Sequence, residues 1–291
     1  MKVLLSTDTS CLINYEVLNN YPISIFNLNV IIDNVEFLDG ITIKQDSLLE
    51  AMNNKKIIKT STPPLGLVID YFEKLFEQGY DHIIHFTISS KLSSMYNLFT
   101  SVANEYFEGK LTIIDSYSLS SLMLSHVFYA YDELNKCTPI EKIVQGIEER
   151  KSNNLIAFIP KNLTTLKNGG RISPALAAIG NTIGLKPVIL LKDGELVKDS
   201  MTRSIKKAFD TIISDNVSKF DVNNYDYTIV EFDSDENIVQ GIIDDIHSHI
   251  GENNVIRGLI PINVCAHCGP GSIGILITPK INGKSLKDFL I

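Results

Sequence analysis

Hydroxyl side chains gather at four places early in the chain: Ser6-Thr7-Asp8-Thr9-Ser10, Thr60-Ser61-Thr62, Ser89-Ser90 with Ser93-Ser94, and Asp115-Ser116 with Ser118. Neutral O–H donors beside a helix start suit a carboxylate or a phosphate, because the free N–H groups and the helix dipole add partial positive charge there. Each of these residues can equally serve only as the cap of its own helix, which for any single turn is the simpler account. Thr62 followed by Pro63 has the form of an N-cap and first-turn pair. Four such turns at one sheet edge also fit a binding site, since ligands of open α/β sheets sit outside the carboxyl ends of the strands.

The second half offers further candidates. Asn168-Gly169-Gly170-Arg171-Ile172-Ser173-Pro174 reads as a tight turn entering a helix, with Ser173 as cap and Pro174 as first residue. Arg171 is then either part of a plain turn or aimed at an acidic group. Between Lys151 and Lys192 there is no Asp or Glu but six Lys or Arg, so the remainder of this net −8 chain carries −14. A solvated basic face is the ordinary reading of such a run, and an anionic membrane surface the functional one. His267 lies between a predicted strand and Gly269-Pro270-Gly271, where its ring can face a cleft.

Other letter patterns carry less. Gly269-Pro270-Gly271-Ser272-Ile273-Gly274 matches a dinucleotide fingerprint, but the next residues, 275–278, read as a strand where that motif needs a helix. Cys265 and Cys268 form a C-x-x-C without a second pair, and His82 with His85 and His247 with His249 diverge on their elements, so no metal site is expected. There is no nucleophile elbow and no phosphate loop, and no catalytic residue is assigned.

The elements that must position these groups alternate in type. Residues 2–6, 23–32, 57–59, 82–88 and 111–115 read as strands. Residues 63–78, 94–107, 118–135 and 139–151 read as helices between or after them. This alternation predicts a parallel sheet covered on both faces. In the second half, 155–159, 188–191, 196–198, 227–232, 255–262 and 273–278 read as strands. Helices are expected at 163–167, 174–183, 204–214 and 237–249. Asp193-Gly194 predicts a hairpin and therefore a mixed sheet. The expected fold class is α/β in two domains: an α/β/α parallel-sheet domain over 1–153 and a two-layer α/β domain with a mixed sheet over 154–291.

Length and composition bound the function. With 291 residues, 44% hydrophobic and 21% charged, the chain can bury a core without staples. A net charge of −8 argues against a nucleic-acid binder, which needs a basic face. The four scattered cysteines fit a reducing cytoplasm better than a disulfide scaffold. No apolar run reaches the roughly 20 residues of a spanning helix, and no secretory signal is read.

Taken together, these segments resemble the DegV family of bacterial lipid-binding proteins over nearly the whole chain. The resemblance rests on Thr7-Asp8-Thr9-Ser10, Asp39-Gly40, Thr60-Ser61-Thr62-Pro63, Ser89-Ser90-Lys91-Leu92-Ser93, Asp115-Ser116, Gly169-Gly170-Arg171-Ile172-Ser173, Lys186-Pro187, Arg203 with Lys206-Lys207-Ala208, and His267 with Gly269-Pro270-Gly271. It implies a long-chain fatty acid held in an apolar tunnel between the two domains, carboxylate inward. The head group would contact Thr60, Ser61 or Thr62, Ser93 and His267, with Arg171 in support. Arg203 would stand near the opening to a partner, the ATP-binding subunit of a fatty acid kinase. That partner brings the ATP, so the chain would present substrate rather than catalyse, and would need no cofactor beyond its bound fatty acid.

The sequence departs from the family pattern at Thr62, Pro64, Ser94, Met95 and Cys268. Met95 and Cys268 are poor donors where better ones are usual, and the Ser94 hydroxyl can stand in. Burying about 16 carbons at ~0.8 kcal/mol per CH₂ gives an upper bound of about 12 kcal/mol, so the carboxylate must be hydrogen-bonded but need not be ion-paired. The rival readings are a stand-alone small-molecule kinase or hydrolase working at the hydroxyl-rich edge, and a metal or redox module built on Cys265 and Cys268.

Overall fold

The computed structural model describes residues 1–11, 15–161, 163–172, 184–251 and 255–290. The first half runs β1 (Val3–Asp8), α1 (Tyr15–Leu18), β2 (Ile23–Phe26), β3 (Asn29–Ile32), β4 (Val35–Leu38), α2 (Gln45–Asn53), β5 (Ile58–Ser61), α3 (Leu65–Phe76), β6 (His82–Thr87), α4 (Met95–Tyr106), β7 (Leu111–Asp115), α5 (Ser120–Asn135) and α6 (Ile140–Lys151). The second half runs β8 (Leu155–Ile159), α7 (Thr164–Asn168), β9 (Lys186–Lys192), β10 (Glu195–Thr202), α8 (Ile205–Asn216), β11 (Tyr225–Phe232), α9 (Glu236–Ile250), β12 (Val255–Leu259), α10 (Ile262–Cys268) and β13 (Ser272–Pro279), closing on a 3₁₀ turn (Leu286–Phe289). The expected helix at 174–183, its Ser173 cap and its small residues Ala175, Ala177, Ala178 and Gly180 lie outside the described residues.

The first half builds a parallel sheet in the order β2-β1-β6-β7. Side chains alternate across it, as the strand period of two requires. Leu4 and Ile83 pack with Val68 and Phe72 of α3 and Phe99 of α4. Leu5 and Ile84 pack with Met123 and Val127 of α5 and Ile143 of α6. Covered on both faces, it is the expected three-layer arrangement.

The run 23–32 is not one strand. It breaks at Asn27, whose side chain donates to the carbonyl of Asp39 at 2.8 Å, while the N–H of Leu28 donates to Thr9 Oγ1 at 3.1 Å. Those bonds replace ladder bonds and turn the chain. Beyond the break, β3 joins a separate antiparallel sheet, β4-β3-β5. Thr60 and Ser61 therefore lie on a strand, not in a strand-to-helix turn of the parallel sheet. Nor does Thr62 cap α3. The helix begins at Leu65, behind Pro64, with no side-chain cap. Two successive prolines disfavour helical backbone at the residue before each of them, which delays the start.

The second half forms a mixed sheet, β10-β9-β8-β13-β11-β12, antiparallel except between β11 and β12. The predicted hairpin joins β9 to β10, with φ of 50° at Asp193 and 83° at Gly194, as a type I′ turn demands. One face of the sheet (Ala157, Ile159, Ile229, Ile275) packs under α8 and α9. The other face turns Ile156, Val230 and Leu276 toward β3, α5 and α10. Residues 255–262 are likewise not a single strand. β12 stops at Leu259, and Pro261 with φ of −53° precedes a new helix, α10. A proline at a helix start is pre-set for helical φ, so His267 is carried on a helix.

The apolar cavity and its polar mouth

The inner face of the mixed sheet does not close completely on the first half. Between them lies a cavity with about 1140 Å³ of atom-free space, part of it continuous with solvent. Ile156 and Phe158 of β8, Leu191 of β9, Val230 of β11, and Gly274 and Leu276 of β13 form its floor. Ser10 and Ile88, just past the carboxyl ends of β1 and β6, reach it from the parallel sheet. This is where a ligand is expected in an open sheet.

Polar side chains collect at one place on the wall. Thr60, Ser61, Thr62, Ser93, Arg171 and His267 all line the cavity, so residues distant in sequence are brought together. Ser61 and Thr62 are exposed, and Thr60, Ser93, Arg171 and His267 are half-buried. The group is thus the more accessible part of the lining; the buried part is mostly apolar but includes Ser10, Asn29, Ser120 and Asn263. Ser94 stands on the exposed side, where its hydroxyl lies 3.1 Å from that of Thr62. Arg203 is exposed and is not part of the lining. The fourth hydroxyl cluster stays apart. Asp115 accepts from the N–H groups of Ser90 and Tyr117, and Ser116 and Ser118 bond each other, so these residues act as local caps.

His267 is fixed from three sides. Its Nε2 lies 2.8 Å from Thr60 Oγ1. Its ring lies over Gly169, where an added Cβ would fall well inside contact distance of Nδ1. Gly169 is therefore required by space, not by backbone angle. The helix ends at Gly269, whose φ of 76° favours a residue without Cβ. Burial, and then the positive charge of Arg171, lower the pKa of His267 to about 4, so the imidazole is neutral at pH 7. Nδ1 has no hydrogen-bond partner among the described residues. Which of Thr60 and His267 donates in their shared bond follows from which ring nitrogen carries the proton.

Arg171 is not a free surface charge. Its Nε donates to the carbonyl of Leu92 at 3.2 Å and its Nη1 to that of Gly169 at 2.6 Å. It thereby ties the turn carrying Ser93 to the glycine beneath His267. Nearby, Ser89 Oγ donates to the carbonyl of Gly194 at the hairpin tip at 2.7 Å, a second tie between the two halves.

Asn263 is a lining residue that the sequence patterns do not single out. It stands one helical turn before His267 on α10 and also lines the cavity. Its N–H donates to Asp39 at 3.1 Å and its side-chain amide to Ser10 at 3.2 Å. Burial raises the Asp39 carboxyl to about 7. The i, i+4 spacing to His267, together with Pro261 as a helix start, was the available signal. Cys265 and Cys268 are buried free thiols on the same helix. His85 is buried in the parallel-sheet core against Ser6, whereas His82 bonds Thr112 and His249 bonds Asp210.

Fold and cavity together define an α/β protein in which a parallel sheet and a mixed sheet border an apolar cavity with a hydroxyl- and imidazole-lined mouth. The chain belongs to the DegV family, whose model, described as an uncharacterised DegV-family protein, matches residues 2–280. A DegV domain-containing protein of Clostridium acetobutylicum is 25% identical over 286 residues, spanning 96% of this chain and 99% of that one. Among solved structures, a fatty-acid-binding DegV family protein from Thermus thermophilus superposes with a TM-score of 0.87 at 22% identity, covering 96% of this chain and 100% of that one. A stearic-acid-binding protein from Eubacterium ventriosum superposes with a TM-score of 0.83 at 23% identity, covering 97% and 99%. Among the described residues no helix is long and apolar enough to cross a membrane.

Proposed function

We propose that this protein binds a long-chain fatty acid in the cavity. The carboxylate sits at the mouth on Thr60, Ser61, Thr62, Ser93, Ser94 and His267, and the tail runs inward over Ile156, Phe158 and Leu276. The carrying observation is the bond between Thr60 and His267 at the mouth of a largely apolar cavity. The descriptions of the similar structures as fatty-acid-binding support the same ligand. This differs from the carboxylate-inward direction that the resemblance implies: of the residues assigned to the head group, Ser61, Thr62 and Ser94 are exposed and Thr60, Ser93 and His267 half-buried.

Neutral donors satisfy the carboxylate without a tight ion pair. That leaves its oxygen available to a second protein. In this reading the chain is a substrate-presenting subunit and not itself a catalyst. Residues 1–153 and 154–291 are the two domains around the ligand. Arg171 braces the mouth, Arg203 faces the partner, and the partner is the ATP-binding subunit of a fatty acid kinase. The complex works in the cytoplasm and touches anionic membrane transiently through basic residues such as Lys161 and Lys167.

Mass spectrometry of organic extracts of the purified protein tests the ligand: a long-chain fatty acid near one equivalent is expected. Acyl-phosphate formation from ATP should need the added kinase subunit, and turnover by this chain alone would favour a stand-alone enzyme. Co-sedimentation with anionic vesicles should weaken as salt rises; binding indifferent to salt and lipid charge would remove the membrane contact.

A further inference from the structure

Ser120 is the first residue of α5, yet its hydroxyl does not cap that helix. The helix starts behind Leu119 without a side-chain cap, and Ser120 Oγ is buried with no hydrogen-bond partner among the described residues. Asn263 of α10 is half satisfied in the same way. Its side-chain amide donates to Ser10 Oγ at 3.2 Å, whereas its Oδ1 has no partner among the described residues. Ser120 and Asn263 are 1% and 6% exposed, and both line the apolar cavity. Ser10, a third lining residue, holds them together, because its carbonyl also accepts from the N–H of Ser120 at 2.7 Å. Buried polar atoms are nearly always paired, since leaving one unpaired costs free energy.

The group that would pair them must both accept and donate. Ser120 has an O–H to give, and Asn263 has a carbonyl oxygen to fill. A hydroxyl answers both at once. A plain hydrocarbon segment answers neither. A carboxylate only accepts, and two carboxyls already stand behind this wall. Asp8 accepts from the N–H of Ser10 at 2.7 Å, and Asp39 from the N–H of Asn263 at 3.1 Å. Asn263 precedes His267 by four residues on α10, about 6 Å of helix rise. The polar pair is therefore set apart from the mouth and faces the tail of a ligand, not its head group.

Resting on the fatty-acid reading above, we propose that Ser120 and Asn263 form a hydroxyl-binding site inside the cavity, which extends the ligand class to long-chain fatty acids hydroxylated at an interior carbon. The test displaces a fluorescent fatty acid with stearic acid and with its 2-, 6- and 10-hydroxy derivatives. One of the two interior isomers should bind about tenfold more tightly than stearic acid, the scale of one net hydrogen bond. The 2-hydroxy isomer, whose hydroxyl stays beside the carboxylate, should show no such gain. Ser120→Ala and Asn263→Leu should each remove most of the gain, with thermal melts to show that the variants are folded. Should Asn263→Leu fail to fold, Ser120→Ala decides alone, because the Ser120 hydroxyl holds no bond in the fold. Interior isomers that bind no better than stearic acid would mean that ordered water fills the site, and would overturn the proposal. So would an equal gain for the 2-hydroxy isomer, which assigns the effect to the mouth, or a gain that survives Ser120→Ala. Each of these leaves the fatty-acid reading intact. Failure of the parent to bind any of the four acids would overturn that reading itself.

Discussion

The imidazole of His267 occupies the space where a side chain on Gly169 would stand. The two residues are far apart in the chain, and neither the helix that carries one nor the turn that carries the other reveals the contact. A glycine is needed at 169 because a ring lies against it. The same ring meets Thr60 on its other edge, so mouth geometry depends on a residue with no chemistry of its own.

Gly169→Ala should therefore displace His267 from Thr60. Fatty-acid affinity is expected to fall about tenfold, the worth of one lost buried hydrogen bond. Fluorescent fatty-acid displacement measures it, with a thermal melt to show that the variant remains folded. Unchanged affinity would mean that the ring can move without consequence.

Asp39 makes a pH-dependent contribution with a defined sign. Burial raises its carboxyl from 3.8 to about 7, so between those values the folded state binds the proton more tightly than the unfolded chain. Its contribution to stability is thus greatest at low pH and is lost as pH rises through about 7. In full this amounts to about 4 kcal/mol. Asp39→Asn removes that slope, so its stability relative to the parent should improve steadily from pH 4 to pH 7 in urea titrations. His267 and His85 act in the opposite sense. Their pKa values are lowered to about 4 and about 3, so they favour the folded state less as pH falls below about 6.5. The comparison of variant with parent isolates Asp39 from them.

Arg150 links α6 to the end of β13. Its guanidinium donates to the carbonyls of Pro279 and Lys280 at 2.8 and 2.9 Å, and to Ser125 Oγ at 3.3 Å. Burial lowers its pKa to about 10, which still leaves it charged at neutral pH. Arg150→Met would leave two carbonyls short of donors and should destabilise the fold by about 2 kcal/mol in urea unfolding.

The parallel sheet was legible because its strands are short apolar runs separated by amphipathic helices. Leu67, Val68, Tyr71, Phe72 and Leu75 mark α3 plainly. The three-stranded sheet was not, because the break at Asn27 is made by bonds to Thr9 and Asp39, which sequence periodicity does not report. At the mouth, Thr60 stood out by its hydroxyl cluster and His267 by the Gly-Pro-Gly turn beside it, but their shared head-group role came from the family resemblance, since nothing in either segment indicates that they meet. Asn263 was missed with the helix that carries it. Gly274 was visible only as a letter in a rejected motif. Its place in the cavity floor depends on the register of β8, β11 and β13.

Whether a fatty-acid carboxylate rests at the Thr60 and His267 mouth can be read from the carboxylate itself, by carbon-13 NMR of carboxyl-labelled palmitic acid bound to the protein. One bound carboxyl resonance is expected, shifting in Ser93→Ala and in His267→Ala but staying in place in Arg203→Ala. A resonance unmoved by either of the first two substitutions would place the head group elsewhere.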